Sequence, residues 1–273
     1  MAVITKITTQ KKNNERYNVF LDHGDGKEVY GFSVDQDVLI KFHLKKGLEL
    51  DDLDLTEIHF DDEVKKAMNM AAGFLSHRMR SAKEVHDYLA TKEIDGPIIL
   101  EVLHKLTELN YVNDKEFAHA FVRTQVNTTV KGPEVIKKEL IEKGIDKEII
   151  ETALNEFGID YQLESAKKIA EKAAKQSKMS SNQVLKQKVE QALLRKGYNW
   201  SIIQQVLEES NFEKEDNEIW EALVFQGEKA HRKYQKYEGF AYSQKMKQAL
   251  FRKGFAIELI EKFIEMKQHD EDM

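Results

Sequence analysis

One fifteen-residue pattern, written four times, constrains this chain more than any other feature. The copies begin at Leu89, Leu140, Leu193 and Leu250. The fourth residue is Lys in each: Lys92, Lys143, Lys196 and Lys253. The fifth is Gly144, Gly197 or Gly254 in the last three copies and Glu93 in the first, and the sixth is Ile94, Ile145, Tyr198 or Phe255. The apolar pairs Ile98-Ile99, Ile149-Ile150, Ile202-Ile203 and Leu259-Ile260 follow, and Leu103, Leu154, Leu207 and Ile264 close the copies. Starts at 89, 140, 193 and 250 lie 51, 53 and 57 residues apart. A repeat of that length implies stacked helical modules, and with them an extended binding surface more than a single buried active site.

Each module reads as a long helix, a helix that ends at the Lys-Gly pair and a shorter closing helix. A Gly one residue past a helix end adopts the left-handed conformation that lets the chain reverse. The Lys before it sits at the negative end of the helix dipole. Four residues before each copy stands another apolar residue, Val85, Ile136, Val189 or Met246. The repeat is therefore first a packing motif.

Local signals set the boundaries. The first module opens with a helix containing Val64, Met68, Ala71-Ala72 and Leu75. Ser81 with Glu84 three residues on is a capping box for the next helix. Pro97 marks the start of a third helix bearing Ile98, Val102, Leu106 and Leu109. Asn113-Asp114 reads as an N-cap before Phe117, Phe121 and Val122; Gly132-Pro133 opens the next helix, and Asp146 caps the one after it.

Residues 1–60 differ. Val3-Ile4 with Ile7, Arg16 to Leu21 and Glu28 to Phe32 carry strand-forming residues, and Asp25-Gly26 is a hairpin signal. Ser33 to Leu44 reads as a short helix with Val38-Leu39 and Phe42 on one side, closed by Lys45-Lys46-Gly47; Asp51 to Asp54 reads as an acidic connector. The expected fold is mainly α: tandem three-helix-bundle repeats in an elongated, curved array behind a small β-rich N-terminal module. The expected parts are 1–60, then repeats at 61–110, 111–158, 159–210 and 211–273.

The 41% hydrophobic and 33% charged residues, with only 2 Pro, suit helices that each bury one stripe. There is no Cys, which excludes disulfides, thiolate metal sites and a Cys nucleophile, and fits a reducing compartment. The N-terminus MAVITKITTQKKNN lacks the apolar run of a signal peptide. No segment approaches the roughly 18 apolar residues of a membrane span. A soluble cytoplasmic monomer is expected.

The net charge of −6 argues against a generally basic nucleic-acid coat, but the charge is uneven. Residues 167–196 hold nine Lys/Arg against two Glu, and residues 225–253 hold eight basic against two acidic. The C-terminus is acidic, with Asp270-Glu271-Asp272. The basic runs are either solvated helix faces or surfaces for phosphates or an acidic partner.

Three segments then resemble the RecX regulatory proteins, in the order and spacing of that family. Ser76-His77-Arg78-Met79-Arg80-Ser81 with Glu84-Val85 and Leu89 is similar to their first signature. Leu106 to Asp114 (LTELNYVND), with Phe117-Ala118 and Phe121-Val122, resembles the second; Lys131-Gly132, Ile136, Leu140 and Lys143-Gly144-Ile145 resemble the third. The resemblance spans about residues 62–267, and residues 1–60 look like the extension of longer members. It implies a modulator of the RecA recombinase in DNA repair and the SOS response. Such a protein lies along the RecA–single-stranded-DNA filament and inhibits strand exchange, ATP hydrolysis and coprotease activity.

No catalytic constellation stands out. The nine His are scattered, and neither His-Glu-x-x-His nor Gly-x-Ser-x-Gly occurs. Asp61-Asp62-Glu63 is expected at a helix start, and His77 on a surface loop. Neither an enzyme nor a cofactor is expected.

The candidate partner contacts are Arg78, Arg80, Lys92, Arg123, Lys131, Lys143, Lys186, Lys188, Arg195, Lys196, Arg232, Lys233, Arg252 and Lys253. Arg78 and Arg80 either pair with phosphate or carboxylate or anchor their turn, for example through Glu84. The four repeat lysines are either a periodic row of charge or simple helix-end complements. Residues 232–242 (RKYQKYEGFAY) either stack on single-stranded nucleic acid or turn their Tyr inward; Trp200 and Trp220 are expected in cores or seams. The alternative function is a helical protein that binds single-stranded DNA directly and competes for the strand.

Overall fold

A computed structural model describes residues 1–210 and 212–271. The side chains of the acidic terminal residues Asp270, Glu271 and Asp272 lie outside that description. The chain forms two compact units. One comprises Met1–Phe117 with Lys143–Asp146; the other comprises Ala118–Glu142 and the chain from Lys147 onward.

The first unit begins with an antiparallel sheet of β1 (Ala2–Thr9), β2 (Arg16–Asp22), β3 (Val29–Asp35) and β4 (Glu49–Leu50), in the order β3-β2-β1-β4. Alternation puts Ile4, Val19, Leu21, Phe32 and Val34 on one buried face. That face packs on Val38 of α1 (Gln36–Lys41) and on Leu55 and Ile58 of α2 (Asp52–Leu75).

Three readings change here, while the hairpin expected at Asp25-Gly26 does join β2 to β3. Ser33–Asp35 extend β3, so the helix expected from Ser33 is only α1, capped by the Asp35 carboxylate that accepts from the Asp37 N–H. In the β2–β3 connection the positive φ angles fall at Gly24 and Gly26, and Asp22 Oδ1 accepts from the N–H groups of residues 24, 25 and 26. Asp51 to Asp54 is not a connector: Asp51 and Asp54 form a capping box that starts α2 at Asp52, well before the expected 61. Asp61-Asp62-Glu63 consequently lies inside a helix. The buried Asp62 accepts from both terminal nitrogens of Arg16 (3.2 and 2.9 Å) and from the Asp35 N–H (2.8 Å), and it pairs with Lys66 (2.8 Å).

Helices α3 (Ala82–Ala90) and α4 (Gly96–Glu108) pack with α2 around Val64, Ala67, Ala71, Val85, Leu89, Ile99, Val102 and Leu106. Leu109 is 59% exposed, because α4 ends there and Asn110 turns left-handed at φ 57°. Next come α5 (Asp114–Thr128), α6 (Pro133–Glu142) and α7 (Lys147–Leu154). In the second unit, α8 (Ile159–Gln176), α9 (Asn182–Arg195) and α10 (Trp200–Glu209) enclose Ala166, Ala170, Leu185, Val189, Leu193, Ile203 and Val206. A further core forms among α11 (Asp216–Tyr234), α12 (Gly239–Phe251) and α13 (Ile257–Glu271).

All four leading Leu of the pattern, and the apolar residue four before each, are fully buried. At the closing end the fully buried positions are Val102, Ala153, Val206 and Phe263; Leu103, Leu154 and Leu207, one residue later, are only half-buried. Trp200 is exposed, not in a core or seam. It is the first residue of α10, and the equivalent Gly96, Lys147 and Ile257 also face outward. Trp220 packs against the last core.

The Lys-Gly turns do more than reverse the chain. Gly144, Gly197 and Gly254 have φ of 77°, 83° and 74°, and Glu93 takes the same region at 60°. The next residue folds back: the N–H groups of Ile94, Tyr198 and Phe255 donate to the carbonyls of Leu89, Leu193 and Leu250. The Lys carbonyl of three turns then accepts from the start of the middle helix one module earlier. Ser81 Oγ donates to the Lys143 carbonyl (2.8 Å), the Gly132 N–H to that of Lys196 (2.7 Å), and Ser181 Oγ to that of Lys253. A Cβ on Gly144 would lie 2.7 Å from Lys83 Cβ, and one on Gly197 2.7 Å from the Val135 N. These turns are joints, and Gly stands where another backbone or side chain presses in. The first copy has no earlier three-helix module to receive, and there the residue is Glu93.

Candidate functional site

The candidate contact residues fall into three environments. Arg78, Arg80 and Lys143 belong to the first joint. Arg78 pairs with Glu84 at 2.8 Å and donates to the Met79 carbonyl; Glu84 also accepts from the Ser81 N–H (3.1 Å) and from Lys143 (3.2 Å). Arg80 lies 4.1 Å over the Phe74 ring, itself stacked on Tyr88. Burial alone would raise the Glu84 carboxyl. The Arg78, Ser81 and Lys143 hydrogen bonds outweigh it and bring it to about 2. Because that lies below the unfolded value, the resulting stabilisation is complete above pH ~4.5 and drains away as pH falls toward 2. Glu84→Gln should therefore lower the melting temperature at pH 7 and flatten its fall between those limits. An unchanged acid profile would contradict this assignment.

The second group is dispersed and mostly engaged. Lys131 pairs with Glu139 (2.6 Å) and Lys186 with Glu213 (3.3 Å); Lys253 donates to the Gln226 amide and Arg252 to the Gln248 carbonyl. Lys92 lies over Tyr88 and Lys233 over Tyr234, while Arg123 is exposed and Arg232 lies exposed near the end of α11. Residues 232–242 span the end of α11, a turn and the start of α12. Tyr234, Tyr237 and Tyr242 turn toward the core and Phe240 is 82% exposed. The four repeat lysines thus do not share one environment.

The third group forms a groove. Lys168, Lys172 and Gln176 follow one another at helical spacing along α8, and Lys188, Ala192, Arg195 and Lys196 do so along α9. All of these except Lys188, together with Val130, Ile169 and Ala173, line a depression of about 550 Å³. It continues past Ser177, Lys188 and Gln191 into a second section of about 520 Å³ that shares Ala173, Gln176, Ala192 and Arg195. No carboxylate lines either section. Lys168 is paired with Glu164; Lys172, Lys188, Arg195 and Lys196 have no ion-pair partner among the described residues. Lys188, Arg195 and Lys196 are among the contacts expected from the sequence. Lys168 and Lys172 are not, although their four-residue spacing in the basic 167–196 run is the available signal.

No helix among the described residues is long and apolar enough to cross a membrane. Comparison with known proteins accounts for nearly the whole chain. The regulatory protein RecX N-terminal domain family matches residues 2–51, the first RecX three-helix domain 67–106 and the second 113–154. The third three-helix domain matches twice, at 160–207 and 216–264. Regulatory protein RecX of Bacillus subtilis is 48% identical over 98% of this chain and 100% of its own. That of a Geobacillus species is 50% identical over 99% of each. A crystal structure of regulatory protein RecX aligns with TM-score 0.68 at 35% identity, covering 76% of this chain and all of its own. RecX from Lactobacillus salivarius aligns at 0.53 and 39% identity, over 55% of this chain and 97% of its own. With helical modules, β-rich N-terminal module and family domains in register from end to end, the chain belongs to the RecX family of regulatory proteins.

Proposed function

We propose that this protein is a non-enzymatic, cytoplasmic regulator that binds the RecA–single-stranded-DNA filament as a monomer and inhibits its recombinase, ATPase and coprotease activities. The observation that carries the reading is the match to regulatory proteins RecX over 98–99% of the chain. The side chains of the α8–α9 groove support it, since Lys, Arg and Gln over an Ala, Val and Ile floor suit binding. In this reading residues 1–60 and the repeats at 61–110, 111–158, 159–210 and 211–273 act as serial contact modules. Affinity is spread over many polar contacts, so single charge reversals cost little and several together cost much.

Co-sedimentation with RecA filaments, held on single-stranded DNA by a slowly hydrolysed ATP analogue, tests the binding. The protein should pellet with filament and stay in solution with RecA alone. Equal recovery with and without filament would refute filament recognition.

A further inference from the structure

We infer that the α8–α9 groove binds the sugar–phosphate backbone of a single nucleic-acid strand, independently of base sequence. The assignment of that strand to a recombinase filament rests on the function proposed above; the chemistry of the groove does not.

The balance of charge in the groove calls for an anion. Beside the groove Lys167 pairs with Glu209 (2.7 Å) and Lys186 with Glu213, and on its lining Lys168 pairs with Glu164 (2.7 Å). Inside it, Lys172, Lys188, Arg195 and Lys196 converge with no ion-pair partner among the described residues. Glu190 does not compensate them, because two residues from Lys188 put it on the other side of α9. Like charges gathered in one depression repel until an anion occupies it.

The length of the groove suits a chain of charges. The step from Lys168 to Gln176, or from Lys188 to Lys196, is eight residues, about 12 Å of helix. Helices α8 and α9 are joined by a short turn. Lys168 and Lys196 therefore share one end, Lys172 and Arg195 the middle, and Lys188 the other end. A line of charge that long exceeds a single small anion and fits successive phosphates.

The hydrogen-bonding capacity of the lining suits a ligand made of acceptors. Lys and Arg side chains are donors only. A bound peptide would bring its own N–H donors into a groove whose lining side chains offer few acceptors besides Gln176, Gln191 and Ser177. A DNA backbone brings acceptors only, which this lining satisfies. No aromatic side chain lines either section, so bases find no stacking platform. Contact limited to phosphates is blind to sequence.

The test is fluorescence anisotropy with a dye-labelled oligodeoxythymidine of about 30 nucleotides, titrated with the full chain over a series of salt concentrations. Wild type should bind with Kd on the order of 10⁻⁵ M, and its affinity should fall steeply as salt rises. The variant Lys172→Glu/Lys188→Glu/Arg195→Glu should bind at least tenfold more weakly at low salt. Its log K against log salt slope should be shallower by about 2, for three lost phosphate contacts at ~0.7 each. Lys11→Glu/Lys12→Glu/Lys27→Glu makes the same change in net charge at residues that do not line the groove and should bind like wild type. Lys172→Gln/Lys188→Gln/Arg195→Gln keeps the test open should the reversed charges impair folding, which thermal melting reveals. Binding by the groove variants equal to wild type would overturn the inference. So would absence of wild-type binding at low salt, or a polyglutamate that competes as well as the strand. Loss of strand binding with no effect of the protein on RecA would instead remove the proposed function and leave the groove assignment standing.

Discussion

Gly197→Ala is expected to destabilise the second unit by about 2–4 kcal/mol, among the largest effects of any single methyl added to this chain. Two costs combine. A left-handed backbone costs a residue with a Cβ about 1–2 kcal/mol, and φ at Gly197 is 83°. The new Cβ would also lie 2.7 Å from the Val135 N and 2.8 Å from Val135 Cγ2, and overpacking of that kind costs about 1–3 kcal/mol. Val135 cannot retreat freely, since Gly132 and Glu134 beside it donate to the carbonyls of Lys196 and Gly197. Gly254→Ala should cost less, because the atoms its Cβ meets belong to the side chains of Gln183 and Ser181. Glu93→Gly supplies the opposite control. Glu93 already stands at φ 60°, so relief of strain and the entropy of an added Gly nearly cancel, leaving a change within about 1 kcal/mol. Urea denaturation followed by circular dichroism measures all three. A cost below about 1 kcal/mol for Gly197→Ala would show that the turn is not a joint.

The second large effect is expected at Arg16. Arg16→Ala should cost about 3–5 kcal/mol, the range for removing one member of a buried pair. The Asp62 side chain is only 4% exposed and Arg16 holds both of its oxygens. Lys66 and the Asp35 N–H remain, which places the loss nearer the lower end. Replacing both partners, Arg16→Met with Asp62→Leu, should cost clearly less than either single change. Burial alone would raise the Asp62 carboxyl. The Arg16 and Lys66 hydrogen bonds and the Asp35 N–H together hold it below the usual range. Its stabilisation is therefore complete above the normal Asp value and fades as pH falls through the depressed one. Arg16→Ala should accordingly narrow the gap between stability at neutral and at acid pH. A double variant as unstable as Arg16→Ala would contradict the account.

What is legible in the sequence follows from local rules. The capping box at Ser81 and Glu84, Pro97 and Pro133 near helix starts, and left-handed Gly past the last three middle helices are nearest-neighbour chemistry, and the structure has each in place. What the sequence hides depends on distant partners. Asp51 to Asp54 looks like a connector because its charge masks a helix start, and the Leu55 that follows packs on a sheet assembled from residues 2–35. Asp62 looks like a helix-start carboxylate because its partner, Arg16, lies 46 residues away. The Lys-Gly turns read as packing, and their role as joints emerges only when Ser81 meets Lys143, 62 residues on. At the candidate site, the basic run 167–196 is visible as composition. Folding sorts it: Lys167 and Lys186 find carboxylates beside one groove, and Lys172, Lys188, Arg195 and Lys196 line that groove with Lys168, which pairs with Glu164.

The most direct test of the central claim is ATP hydrolysis by the cognate RecA on single-stranded DNA, titrated with this protein at physiological salt, with coating of naked strand followed in parallel. Filament regulation predicts that turnover falls at substoichiometric to equimolar protein, at concentrations where naked strand remains uncoated. Loss of turnover only where the protein already coats naked strand would mean competition for DNA, and undiminished turnover at saturating protein would contradict the account outright.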